Sequence, residues 1–127
     1  MGRKLAYIIF LLILSLSAFS TDYFVDKYNG NDTFNGLYSS HTSGLNGPKR
    51  SIQNAIDSCA VNDNVFISAG LYQEYLTINK QMNLFGSGSG ADTNLNTILQ
   101  SPSSGTGTDL SIVFQGAAPI IFSNIKD

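Results

Sequence analysis

The sequence predicts an all-β chain built as a β-solenoid of short stacked coils, with one amphipathic helix laid over its N-terminal end. Three observations carry this expectation. From Asn64 onward, apolar and polar residues alternate in runs of about four residues, too short for a sandwich. Turns of very unequal length separate these runs, and only the stretch from Ile52 to Cys59 has helical apolar spacing. An immunoglobulin-like sandwich would need about seven strands of more regular spacing joined by hairpin turns.

Residues 1–20 come first and stand apart. Arg3 and Lys4 form a short basic start, Leu5 to Leu14 is an unbroken apolar run, and Ala18-Phe19-Ser20 places small residues where a signal peptidase reads. A secretory signal peptide cleaved before Thr21 is expected, leaving residues 21–127 as one secreted or cell-surface domain. The apolar stretch ends at Phe19, contains two serines and falls short of the roughly 20 residues that span a bilayer. No stable membrane span after cleavage is therefore expected.

The chain beyond Ser20 carries five basic residues (Lys27, Lys49, Arg50, Lys80, Lys126) against nine acidic ones, a formal charge of −4. No basic cluster is present to hold phosphates, which disfavours nucleic acid and anionic membranes as partners. The single cysteine, Cys59, cannot form an internal disulfide. A secreted chain of this size without bridges must be stabilised by its core, which is marginal.

Tyr23-Phe24-Val25 reads as a short strand, followed by a long polar loop from Asn29 to Gly47. Ser51 is placed to cap the helix, in which Ile52, Ala55, Ile56 and Cys59 fall on one stripe; Asn62-Asp63 ends it. Val65 and Ile67 alternate with Asn64, Phe66 and Ser68 until Gly70 breaks the run. Leu76 and Ile78 alternate with Tyr75 and Thr77, and Asn79-Lys80 turns the chain. Met82 to Phe85, Thr97 to Gln100, Ser111 to Gln115 and Ile120 to Ile125 are the remaining strands. Loops from Gly86 and from Ser101 to Asp109 separate them.

Several blocks in this order resemble a known family. Gly47-Pro48-Lys49-Arg50-Ser51-Ile52-Gln53-Asn54-Ala55-Ile56 is followed by Asp63 to Tyr72 with its Gly70-Leu71-Tyr72 step. Leu76 to Lys80 and Leu84-Phe85-Gly86 come next. Together they look like the N-terminal segment of right-handed parallel β-helix proteins of the pectin-lyase-like superfamily. Tyr23 to Asp26 with Asn29-Gly30-Asn31-Asp32 is similar to the strand and loop preceding the helix cap in that family, and Ile121 to Ile125 looks like a strand of a later coil. The resemblance implies a right-handed parallel β-helix (solenoid) with an N-terminal amphipathic helix cap, apparently truncated after its first coils. Lyases, esterases, hydrolases and adhesins share this segment, so it specifies fold and not activity.

Each residue with chemical potential also has a structural reading. Cys59 continues the apolar stripe and is expected to be packing. His41 lies alone in the polar loop and is given no role. Asp26, Asn29, Asn31 and Asp32 form an oxygen-rich cluster whose spacing does not match a Ca²⁺ loop and which Asx turns explain. Gly86 to Gly90 lacks the Lys and Ser/Thr of a phosphate loop. Asn31-Asp32-Thr33 matches the N-glycosylation acceptor pattern, meaningful in a eukaryotic secretory pathway. Arg50 is expected to serve the helix start, while Glu74, Asp92 and Asp109 stand isolated.

No residue of this chain is thus assigned a catalytic, cofactor-binding or metal-binding role. The resemblance implies that a complete protein would bind or degrade an acidic polysaccharide, as a lyase or pectinesterase-like enzyme, with Ca²⁺ entering only in a complete lyase-like form. A non-catalytic adhesin or structural solenoid is the alternative. A periplasmic metal-delivery role is disfavoured by one His and no Met cluster. The last expectation concerns self-association through an uncapped edge in Ser111 to Ile125.

Overall fold

The computed structural model describes residues 19–88, 90–102, 112–114, 121–123 and 125–126. Most of residues 1–20, Asp109 and parts of the last expected strands lie outside the described residues. One helix, α1 (Ile52–Ser58), accompanies nine short strands: β1 (Asp22–Val25), β2 (Asn64–Ile67), β3 (Gly70–Gln73), β4 (Leu76–Ile78), β5 (Asn83–Gly86), β6 (Thr97–Gln100), β7 (Ile112–Phe114), β8 (Ile121–Ser123) and β9 (Ile125–Lys126).

The strands pair in parallel as three separate sheets: β1-β2-β5-β8, β3-β6-β9 and β4-β7. From β2 onward the chain visits these sheets in rotation. The expectation of a right-handed parallel β-helix is corrected by this arrangement: the strands form small open sheets of four, three and two members, and no closed or solenoid sheet is present among the described residues. Local alternation says which residues face the core but not which distant segments pair, so sheet assembly lay outside its reach. The ladders are short: β4 and β7 share three residue pairs and β6 and β9 two. The single helix found among the described residues falls where the apolar stripe from Ile52 to Cys59 places it.

A seven-residue helix is too short to persist alone, since nucleation costs more than so few bonds return. Side chains from elsewhere in the chain hold its first turn. The Ser51 hydroxyl accepts from Asn54 N at 3.4 Å. Glu74 accepts from Ile52 N and Gln53 N, one oxygen each, at 3.0 Å. Asp32 Oδ1 accepts from Arg50 N and Ser51 N at 2.9 Å. These bonds satisfy amides that have no partner within the helix.

Ile52, Ala55, Ile56 and Cys59 turn inward and are buried, joining Val25, Val65, Ile67 and Leu84 of the first sheet, Tyr72 and Leu99 of the second, and Leu76 and Ile78 of the third. Gly70 does not end a strand region as its sequence suggests; it opens β3 instead. Its φ of +154° suits a residue without a Cβ, and an added Cβ would meet Lys27 Cβ at 3.1 Å. The bend delivers Tyr72 into the core with 0% exposure. There its hydroxyl donates to Ser68 O at 3.2 Å and accepts from Lys27 N at 3.2 Å.

Candidate functional site

Parallel in-register pairing puts like positions of successive strands side by side. Phe24 pairs with Phe66 and Phe66 with Phe85. Strand alternation sends Val25, Val65, Ile67 and Leu84 into the core, so the three phenylalanines lie on the opposite face. Their rings stack, with centroids 5.7 Å apart for Phe24 and Phe66 and 5.1 Å apart for Phe66 and Phe85. Phe66, in the middle, is 36% exposed.

Polar side chains flank this strip on both sides. Two residues earlier in each strand stand Asp22, Asn64 and Asn83, linked by bonds from Asn64 Nδ2 to Asp22 Oδ1 (2.8 Å) and from Asn83 Nδ2 to Asn64 Oδ1 (2.9 Å). Two residues later stand Asp26, Ser68 and Ser87. The three phenylalanines, Asp26, Ser39, Ser68 and Ser87 border an open cleft of about 220 Å³. Enclosed sites for drug-sized ligands run from roughly 300 to 1,000 Å³, so this cleft suits a shallow contact with a single ring-sized unit.

Charge at the cleft comes from one carboxylate. Burial pulls the Asp26 carboxyl upward, but hydrogen bonds outweigh it and leave the pKa below the ordinary carboxylate value. These bonds come from the backbone and side chain of Asn29 and the backbone of Tyr28. Among the described residues no Lys or Arg borders the cleft.

Every described carboxylate accepts a hydrogen bond from within the chain. Glu74 and Asp32 serve α1, as above. Asp92 Oδ1 accepts from Asn94 N at 2.9 Å, and Asp57 accepts from Gln53 Nε2 at 2.8 Å. Asp63 is buried and accepts from Thr21 N (2.8 Å) and Ala60 N (2.7 Å). Among the described residues no group of three or more His, Cys, Asp or Glu is placed to hold a metal ion.

The remaining candidates fall in different places. His41 stacks on Phe34 with centroids 4.6 Å apart, and its Nε2 lies 3.2 Å from Gly44 O. Arg50 is exposed at the start of α1, where its backbone amide, and not its guanidinium, makes the bond to Asp32. Cys59 is buried; its thiol is pushed up to about 12 by burial and by the charge of Asp63, against a lowering by Lys80.

The phenylalanine strip was missed by sequence reasoning, although the alternation in β2 already turns Phe66 away from Val65 and Ile67. What was lacking is register, because Phe24, Phe66 and Phe85 become neighbours only when three distant segments pair in one alignment. No helix of the described residues is long and apolar enough to cross a membrane. Comparison with protein-family models, with curated proteins and with solved structures finds no match to this chain.

Proposed function

We propose that the protein is exported and binds a polysaccharide without cleaving it, and that its ligand is a neutral glycan. The observation that carries this reading is the layered outer face of β1, β2 and β5, an apolar aromatic strip between two rows of hydroxyl, amide and carboxylate groups. A sugar ring has the matching design, with apolar C–H surface bounded by hydroxyls that both donate and accept. An acidic polysaccharide fits poorly, since Asp26 would repel its carboxylates and the described lining of the cleft offers no cation to pair with them. Binding is favoured over hydrolysis because Asp26, the one carboxylate at the cleft, is engaged by Tyr28 and Asn29 and has no second carboxylate beside it among the described lining residues.

The test is retention of the secreted protein on neutral glycans (mixed-linkage β-glucan, galactan, xylan) and on polygalacturonate in affinity electrophoresis. Retardation by at least one neutral glycan and not by polygalacturonate is expected. Phe66→Ala should weaken the interaction about two- to tenfold, in line with about 0.5–1.5 kcal/mol for an aromatic contact, while leaving the unfolding transition cooperative. Binding that survives Phe66→Ala unchanged, or that goes to polygalacturonate alone, would remove this reading.

A further inference from the structure

We infer that Asn31 is a site of N-linked glycosylation, carrying one oligosaccharide on the loop that joins β1 to α1. Asn31-Asp32-Thr33 is the only Asn-x-Ser/Thr tripeptide in the chain, and its middle residue is not Pro. The motif alone is common; the geometry around it supports modification.

Both acceptor partners of the site are outward. Asn31 and Thr33 are exposed, whereas Asp32 between them is half-buried. Asp32 turns back to bind the amides of Arg50 and Ser51, and Lys49 Nζ reaches its carbonyl at 3.0 Å. The tripeptide is therefore fixed to the body of the protein by its middle residue and presents the other two to solvent. Gly30 reinforces this, since a Cβ there would collide with the carbonyl oxygens of Lys49 and Asp26. Asn31 N also donates to Pro48 O at 3.0 Å.

The Asn31 carboxamide is held by its oxygen in a local turn. Its Oδ1 accepts from Thr33 N at 3.0 Å and from Thr33 Oγ1 at 2.9 Å. Its Nδ2 has no hydrogen-bond partner among the described residues. Amide nitrogen is a poor nucleophile because its lone pair is shared with the carbonyl. As Nδ2 loses a proton, negative charge gathers on Oδ1, where two donors already point. The co-reactant is a lipid-linked oligosaccharide diphosphate: the Nδ2–C1 bond forms, the C1–O bond to the diphosphate breaks, the lipid diphosphate departs with the electron pair, and the Nδ2 proton is released. A glycan attached at Nδ2 breaks neither hydrogen bond of the turn, because both use Oδ1.

The inference depends on export and is independent of whether the cleft binds a glycan. The experiment is expression of the full chain with its own leader in a eukaryotic secretory host, followed by peptide-N-glycosidase digestion and mass spectrometry of the secreted product. One mass step removed by the enzyme, with conversion of Asn31 to Asp, is expected. Asn31→Asp keeps the Oδ1 acceptor and should lose the glycan; Thr33→Val should lose it as well, and Thr33→Ser should retain it. Secreted protein of unmodified mass, a glycan that persists in Asn31→Asp, or a chain that stays in the cytosol would each overturn the inference.

Discussion

Cys59 and Tyr72 carry the strongest titration effects in the described chain, and both have the same sign. The Cys59 thiol and the Tyr72 phenol are each pushed up to about 12, in both cases chiefly by burial. An acid whose pKa is higher in the folded than in the unfolded chain holds its proton longer when folded, so above the unfolded pKa the unfolded state binds fewer protons. The stabilising contribution is complete below the unfolded values, about 8.5 for a thiol and about 10 for a phenol. It is lost as pH rises from there toward the folded values. The urea midpoint should fall above about pH 9, and Cys59→Ala should reduce the early part of that fall. An alkaline limb unchanged in Cys59→Ala would contradict the role given to burial. The packing role of Cys59 was legible in sequence from its place on the apolar stripe. The Tyr72 hydroxyl network was not, because it joins Ser68 and Lys27 from different parts of the chain.

At the scale of elements, α1 shows how a weak local signal is completed from a distance. Ser51 and the apolar stripe identify the helix in sequence, and the observed span Ile52–Ser58 lies within the expected one. Glu74 is the part that sequence reading could not supply. Nothing near it in sequence suggests a helix cap, yet it binds two amides more than twenty residues away. Removing it leaves the buried Ile52 without an acceptor for its amide. Glu74→Ala should therefore destabilise by about 1–3 kcal/mol, the cost of an unsatisfied buried donor. Ser51→Ala should cost less, because the Ser51 to Asn54 backbone bond is long at 3.4 Å. Urea denaturation of the two variants checks the ranking; equal losses would mean that Glu74 is not the dominant cap. β3 was hidden for a different reason. Gly70 reads as a breaker by composition, whereas in the fold it supplies a backbone angle that lets a new strand begin at once.

Across the whole molecule, the strands were easier to read than their assembly. Alternation located β2, β4 and β6 within a residue or two, but short ladders leave sheet closure undetermined by local pattern, and three open sheets stand where a continuous solenoid was expected. The N-terminal end offers a test of how maturation and folding connect. Thr21 N donates to Asp63 Oδ1 at 2.8 Å, and Asp63 is 3% exposed. If export removes residues 1–20, that same nitrogen becomes an ammonium facing the carboxylate, with Tyr23, Cys59 and Lys80 as the titratable neighbours named by their mutual influence. A charge-assisted bond is roughly twice as strong as a neutral one, so the processed chain should gain about 1 kcal/mol over a form extended by one residue before Thr21. The gain should shrink with added salt and disappear as pH rises and the amine loses its proton. Asp63→Asn should abolish the difference between the two forms. Equal unfolding midpoints for processed and extended chains at neutral pH and low salt would show that the new terminus does not reach Asp63 as a charged partner.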